Sequence, residues 1–232
     1  MNFITDGIVQ AWVLLRTFDP ETFSAVQATL VSTSYAMTAA LLLGLPCGFV
    51  LGYCRFVGRK ALRLISDTLL AFPTVLIGLL VHAFISRQGP LGEWGLLFTL
   101  KGLAVGQTVL ALPIIISLTA QAVENLDPRC RQTLLTLGAQ PWQAACATLR
   151  ELRYQLIMVG LTAFGRVVTE VGIAMMLGGN IRWETRTITT AISLETNKGE
   201  FAQGIALGVV LLAMAFVLNA ALTLARRKGQ AS

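Results

Sequence analysis

Two side chains of opposite charge, Arg166 and Glu170, lie inside an apolar stretch that extends from residue 154 to 181. Because residues four positions apart share one face of a helix, these two are expected to form an ion pair. Charges within a membrane span normally face a bundle interior or a water-filled cavity, since their burial in lipid is costly. The pattern therefore predicts either a pair that lines or gates a translocation path, together with the adjacent Thr169, or an internal pair that fixes helix register.

Other side chains that commonly do chemistry are scarce. The single histidine, His82, lies in an apolar stretch, where it could relay protons or simply pack. The cysteines form no CxxC pair and no His/Cys cluster, so neither a zinc site nor a disulfide framework is predicted; they are Cys47, Cys54, Cys130 and Cys146. No GxxxxGK[ST], HExxH or GxSxG motif occurs, so we expect no enzyme and no ATP site in this chain.

The composition is that of an integral membrane protein. Of the 232 residues, 55% are hydrophobic and 13% are charged, whereas a soluble domain carries about 25% charged residues. The net charge of +6 resides in short connectors between apolar stretches, and no basic stretch with interleaved aromatic residues occurs. We therefore predict an all-α membrane protein that contacts lipid and binds no nucleic acid.

The apolar stretches predict five transmembrane helices in a single domain that covers residues 21–228. Each is long enough for a helix to cross a bilayer, which takes roughly 20 residues. The predicted spans are about 25–53, 64–86, 102–124, 154–178 and 201–225. The segment 1–20 is predicted to be an interfacial amphipathic helix with Trp12 at the headgroup level, and a partly inserted helix is the alternative.

Small residues recur at fixed spacing in two of the spans. Gly44, Gly48 and Gly52 are four residues apart, and so are Gly102 and Gly106. This spacing places the glycines on one helix face, where they allow close approach of a second helix. We therefore expect tight helix packing at both places.

The distribution of lysine and arginine predicts the orientation. Eleven of these residues lie in the connectors after the first and third spans and at the end of the fifth, and six lie on the other side. The side with more positive charge is normally cytoplasmic. We therefore predict an external N-terminus, a cytoplasmic C-terminus and a cytoplasmic connector at 127–153.

This connector is predicted to form two short amphipathic helices. Asp127 suits the N-cap of the first helix, Gly138 suits its end, and Pro141 suits the start of the second. One apolar stripe follows on the second helix, composed of Trp142, Ala145, Cys146, Leu149 and Leu152. Such a structured, basic connector is expected to dock on a cytoplasmic partner.

The segment 182–200 is rich in threonine. Its hydroxyl groups could face an anion or a partner protein, and an ordinary solvated loop or short helix is the alternative. The threonines concerned are Thr185, Thr187, Thr189, Thr190 and Thr196.

Motifs along residues 25–225 together resemble the permeases of type I ABC importers. The connector resembles that family's EAA loop, although Gln132-Thr133-Leu134 stands where the family has Glu-Ala-Ala before Leu137-Gly138-Ala139. The other similar motifs are Arg55–Arg59, Ala71–Thr74, Gly89–Gly92, Gln107–Pro113, Leu126–Pro128 and the region from Gly165 to Gly199. Within the family, the chain is similar to molybdate and tungstate permeases, and most of all to the tungstate type.

The resemblance implies a bacterial or archaeal inner-membrane importer with several subunits. These are two copies of this chain, two cytoplasmic ABC ATPase subunits and an extracytoplasmic oxyanion-binding protein. ATP and Mg would bind to the ATPase, and this chain would hold no cofactor. The implied ATPase-coupling residues are Gln132, Thr133, Leu134, Leu137, Gly138, Ala139, Trp142 and Ala145.

Two alternatives remain open at this point. Within the importer class, the solute could be molybdate, sulfate or another small molecule. In a different class, a proton-coupled secondary transporter would use His82 or Glu170 to carry protons. Five spans do not divide into an even inverted repeat, which disfavours the secondary transporter.

Overall fold

The computed structural model describes residues 3–17, 19–127, 129, 136 and 138–230, without the side chains of 218 and 221–230. The α-helices in chain order are α1 (Phe3–Thr17), α2 (Pro20–Tyr53), α3 (Arg59–Leu70), α4 (Thr74–Ile85), α5 (Leu100–Glu124), α6 (Pro141–Val168), α7 (Ile188–Asn197) and α8 (Phe201–Gln230). A 3-10 turn covers Gly92–Trp94, and a π-helical turn covers Ala174–Gly178. The described residues contain no strand, which confirms the all-α class for this part of the chain.

Within the part of the chain that the structure describes, two helices, α2 and α5, are long and apolar enough to cross a membrane. A third span results if the bent pair α3 and α4 is counted as one crossing. The structure thus has the apolar helices of a multi-pass membrane protein. The number of five spans stays a prediction.

The chain divides into two compact units. The first unit comprises Met1–Ala36, Pro73–Leu110 and Gly165–Ser232, and the second comprises Met37–Phe72 and Ala111–Phe164. Long helices such as α2, α5 and α6 contribute residues to both.

In the second unit, α2 and α5 pack closely at the predicted glycines. A Cβ added to Gly48 would lie 2.7 Å from the backbone oxygen of Ile116, and one added to Gly52 would lie 2.7 Å from that of Ala120. Real Cβ atoms do not approach so closely, so only glycine fits at these positions. The predicted close packing at Gly44, Gly48 and Gly52 is therefore confirmed.

Replacing Gly48 by alanine is expected to destabilise the fold by about 1–3 kcal/mol, because the added methyl group overpacks this contact. The matched control is Gly160→Ala, since a Cβ at Gly160 meets only the Leu41 side chain, at an ordinary 3.7 Å. Thermal unfolding in detergent should show a lowered Tm for Gly48→Ala alone. Equal melting of both variants would contradict the packing account.

The predicted second span is not one continuous helix. Helix α3 ends at Leu70 and α4 begins at Thr74. Proline lacks an N–H and disfavours helical backbone at the preceding residue, so Pro73 interrupts the hydrogen-bond pattern. Pro73 has extended backbone, with ψ 124°. It lies just before the first turn of α4, so it marks the start of a new helix and does not kink a continuous one.

The arginines of the predicted basic connector are used within the second unit. Arg59 donates from Nε to the Leu51 oxygen at 2.7 Å and from Nη2 to the Gly52 oxygen at 3.1 Å. These carbonyls belong to the last turn of α2, where a cation is favourable. Arg59 Nη2 also lies 2.7 Å from Glu124 Oε1, and Arg63 Nε lies 3.6 Å from Glu124 Oε2. The positive charges that indicated topology thus also join α2, α3 and α5.

In the first unit, α1 packs along α8. The rings of Phe3 and Phe201 meet edge to face at 5.9 Å, and a Cβ at Gly7 would lie 2.6 Å from Ile205 Cγ2. From the first contact to the second, the position moves four residues toward the C-terminus on both helices. The two helices are therefore parallel. Trp12 is exposed. The position of α1 at the membrane interface stays a prediction, and partial insertion stays the alternative.

Candidate functional site

The predicted ion pair forms where the chain leaves α6. Helix α6 ends at Val168, and Arg166 Nη1 lies 2.9 Å from Glu170 Oε2. Thr169 lies between the two residues and is exposed, and its hydroxyl donates back to the Gly165 oxygen at 3.0 Å. The structure therefore brings the three residues together, although Glu170 lies beyond the helix end rather than within it.

Glu170 fixes the start of the next helical segment. Its Oε1 accepts from the amides of Gly172 and Ile173 at 3.1 and 3.4 Å, and its backbone oxygen accepts from Thr189 Oγ1 at 3.2 Å. A carboxylate that accepts the first amides of a helical segment satisfies donors that have no partner within that segment. One carboxylate oxygen of Glu170 is thus held by Arg166 and the other by the two backbone amides.

The π-helical turn that follows ends in carbonyl groups with donors from outside the segment. His82 Nδ1 lies 3.3 Å from the Met176 oxygen, the amide of Phe98 donates to the Leu177 oxygen at 2.8 Å, and Thr185 Oγ1 donates to the Gly178 oxygen. Backbone carbonyls need such partners when buried. For His82 this role requires the hydrogen on Nδ1, so His82 acts here as a donor to the backbone.

No metal site is evident among the residues that the structure describes, since no group of three or more His, Cys, Asp or Glu side chains converges there. Cys47, Cys54 and Cys146 are free thiols, and Cys130 lies outside the described residues.

The threonine-rich segment is not a solvated loop. Its hydroxyl groups bond inside the first unit: Thr187 caps α7 in a capping box with Thr190, and Ile188 N donates to Thr29 Oγ1 at 3.0 Å. Only Thr196 of the five is exposed, and the buried ones are Thr185, Thr187, Thr189 and Thr190. The alternative of an ordinary solvated loop was wrong for these four, because their hydroxyl groups are buried and bond to one another or to backbone groups. The alternative of a short helix is met by α7.

Replacing Thr185 by valine is expected to cost about 1–3 kcal/mol of stability, since buried polar partners lose their hydrogen bonds. The Thr185 hydroxyl donates to the Gly178 oxygen and accepts from the Ile181 amide at 3.2 Å. The control is Thr196→Val, whose exposed hydroxyl bonds only within its own helix. A difference in Tm between the two variants tests the assignment, and equal Tm values would refute it.

A second charged group, absent from the predicted site residues, joins the start of α2 to the segment after residue 180. Glu21 Oε2 lies 2.6 Å from Arg182 Nη2, and Arg186 Nη1 pairs with Glu21 Oε1. Arg186 Nε also donates to Asn180 Oδ1 at 3.1 Å. Glu21, Arg182 and Arg186 border a cavity of about 560 Å³. The sequence signal for them was the isolated acid before the first span and the two arginines before α7.

Only part of the predicted coupling region lies within the described residues. Gln132, Thr133, Leu134 and Leu137 lie outside them. Asp127 Oδ1 accepts from the Arg129 amide at 2.9 Å, as an N-cap does. Gly138 has φ 84°, and nothing lies within 4 Å of the position of a Cβ there. The turn at Gly138 therefore uses left-handed backbone, which suits glycine.

The second predicted connector helix is the beginning of α6. It starts at Pro141, as expected, but continues for 28 residues instead of ending before the span. Its buried face consists of Ala144, Thr148 and Leu152. Most of the predicted apolar stripe is instead partly or fully exposed, namely Trp142, Ala145, Cys146 and Leu149. These four residues of the stripe thus lack a partner among the described residues, whereas Leu152, the last residue of the stripe, is buried.

Comparison with known families identifies this architecture. The model of the family described as "Binding-protein-dependent transport system inner membrane component" matches residues 44–228. The chain belongs to this family. It is therefore a membrane component of a transport system that works with a binding protein.

Individual relatives of this membrane component extend over nearly its whole length. It is 50% identical to the tungstate uptake system permease protein TupB of Campylobacter jejuni, over 94% of this chain and 92% of that protein. It is 38% identical to a probable anion ABC transporter permease protein of Haloferax volcanii, over 85% and 86% of the two chains. It is 34% identical to the tungstate permease TupB of Peptoclostridium acidaminophilum, over 95% and 96%.

Proposed function

We propose that this chain is the transmembrane permease subunit of an ATP-driven importer and that its substrate is the oxyanion tungstate. The observation that carries this proposal is the 50% identity to a tungstate uptake permease over 94% of the chain. A second relative, at 38% identity, is named as an anion permease. Molybdate and sulfate, which share the tetrahedral shape and double negative charge, are the competing substrates.

The proposed architecture is one transmembrane domain over residues 21–228 with five spans. The N-terminus lies outside and the C-terminus lies in the cytoplasm of a bacterial or archaeal cell. Helices α2 and α5 and the broken pair α3 and α4 supply the first three crossings. The apolar part of α6 with the segment after it, and α8, supply the other two.

The proposed drive is a partner ATPase that docks on the cytoplasmic end of α6. Its support is the exposed stripe that begins at Trp142, which lies beside the exposed cations Arg150 and Arg153. A surface concavity of about 750 Å³ lies there, bordered by Trp142, Cys146, Arg150 and Tyr154 among others. ATP and Mg would bind to that subunit, two copies of each would assemble, and an extracytoplasmic binding protein would deliver the oxyanion.

The proposed translocation path includes Arg166, Glu170 and Thr169. Its support is that Gly165, Arg166 and Thr169 are all exposed beside the buried Glu170. A charged face at membrane depth borders water or protein rather than lipid. The alternative of proton coupling receives no support from this site, because both carboxylate oxygens of Glu170 are hydrogen-bonded.

The substrate is tested by ATP hydrolysis in the reconstituted complex. Binding protein loaded with tungstate, molybdate or sulfate is added to proteoliposomes that contain the permease and its ATPase. Tungstate is expected to stimulate ATP hydrolysis most strongly at limiting concentration. Stronger stimulation by molybdate or sulfate would reassign the substrate, and equal stimulation by empty binding protein would refute substrate-coupled import.

A further inference from the structure

The ion pair between Arg166 and Glu170 is asymmetric. The Glu170 side chain is 5% exposed, whereas that of Arg166 is 45% exposed. Glu170 is fixed by the amides of Gly172 and Ile173 as well as by Arg166. A guanidinium group has five N–H donors. Within the described part of the chain, the guanidinium of Arg166 donates to one residue only, Glu170. One edge of this guanidinium is therefore held and the other edge is open to solvent.

We propose that the open edge of Arg166 binds the oxyanion as it passes and that Glu170 is a positioning residue that limits how tightly it is held. This inference rests on the proposed import of an oxyanion and adds the residue that recognises it. Arg166 thus contacts the substrate, and Glu170 adjusts the strength of that contact.

The chemistry of the guanidinium supports this division. Its parallel N–H groups match two oxygens of a phosphate-like anion, which a lysine ammonium group cannot do. An unpaired arginine would hold a dianion more strongly than a paired one, yet a transport path needs weak binding so that the ion can leave. Glu170, 2.9 Å from the same guanidinium, cancels one positive charge and so weakens retention.

The surroundings leave the open edge accessible. Gly165 precedes Arg166, and nothing lies within 4 Å of the position that a Cβ would take there. Thr169, which lies between the two charged residues in the chain, is exposed as well. An internal pair that only fixes helix register needs neither an exposed arginine nor open space beside it.

The first test is Arg166→Lys. Lysine can retain the ion pair with Glu170, but it lacks a second edge for the oxyanion. We expect an unchanged Tm and a fall in tungstate uptake of about tenfold at saturating loaded binding protein, which corresponds to one charged hydrogen bond. Uptake at the wild-type rate would overturn the inference.

The second test is Glu170→Gln, which keeps an oxygen for the Gly172 amide but loses the negative charge. Equilibrium dialysis of radioactive tungstate against the permease–ATPase complex, without binding protein, is expected to show at least tenfold tighter binding. The tightening should vanish in Arg166→Gln/Glu170→Gln, because the charge acts through Arg166. Unchanged binding in Glu170→Gln, or tightening that persists in the double variant, would contradict the proposal.

Wild-type uptake in the same proteoliposomes distinguishes failure of the proposed oxyanion contact from failure of the proposed import function. If the wild-type complex imports tungstate and Arg166→Lys equals it, the oxyanion contact is wrong and the importer stands. If the wild-type complex imports none of the three oxyanions, the proposed function itself fails.

Discussion

Replacing Gly138 by valine is expected to uncouple ATP hydrolysis from transport. Gly138 has φ 84° in the turn before α6, and left-handed backbone costs an L-residue about 1–2 kcal/mol, more for a β-branched one. That cost lowers the ratio of the native turn to other conformations by a factor of roughly 5–30. Tungstate uptake per ATP hydrolysed should therefore fall, by up to about that factor, measured with both rates in the same proteoliposomes.

The matched control is Gly138→Asn, since asparagine tolerates left-handed backbone better than other residues with a side chain. It should retain most of the coupled uptake. If the valine variant retains normal uptake per ATP, the turn at Gly138 has no coupling role. If the asparagine variant loses as much as valine, absence of a side chain rather than backbone conformation is what matters there.

Replacing Trp142 by alanine is expected to weaken association with the partner ATPase by about thirtyfold or more, the effect of losing an aromatic hot spot. Trp142 is 63% exposed at the start of α6. Among the described residues, its indole Nε1 donates only to Gln140 Oε1, at 2.7 Å. The fold should therefore survive the change, and titration of labelled ATPase into the purified permease measures the affinity.

Trp94→Ala serves as the control for the loss of a tryptophan. Trp94 is 70% exposed, but it lies in the 3-10 turn Gly92–Trp94, on the side predicted to be extracytoplasmic. Its removal should leave the affinity for the ATPase unchanged. Equal affinities of wild type and Trp142→Ala would show that the exposed stripe is not the docking surface.

The sequence predicted those features that depend on neighbours along one helix. Glycines four residues apart define a smooth helix face whatever the partner is, and Gly48 and Gly52 indeed lie against α5. A separation of four residues likewise brought Arg166 and Glu170 together. The start of α6 at Pro141 followed from the suitability of proline for the first helical turn.

Features that depend on contacts between residues far apart in the chain could not be predicted from the sequence. Thr189 is buried because it donates to the Glu170 oxygen, 19 residues away in the chain, and no local pattern encodes that contact. The sequence identified Arg59 as a positive charge and as part of a motif, but not as the residue that joins the end of α2 to Glu124. Pro73 was visible as well, but only the structure shows that it separates two helices rather than bending one.

The candidate site shows the same division. The residue types predicted a charged pair at membrane depth, but its asymmetry was not predictable. Glu170 is inaccessible because Gly172 and Ile173 donate to it after the chain leaves α6. Where a helix ends inside an apolar stretch depends on such capping partners as much as on propensity. The exposure of Arg166, on which the inference about substrate depends, was likewise seen only in the structure.

The most direct test of the account is uptake of radioactive tungstate into proteoliposomes that contain the permease and its ATPase, with loaded binding protein outside. With ATP inside, tungstate should accumulate, and a catalytically inactive ATPase should abolish the accumulation even when a proton gradient is imposed. Accumulation that persists with the inactive ATPase and collapses with the proton gradient would contradict the central claim.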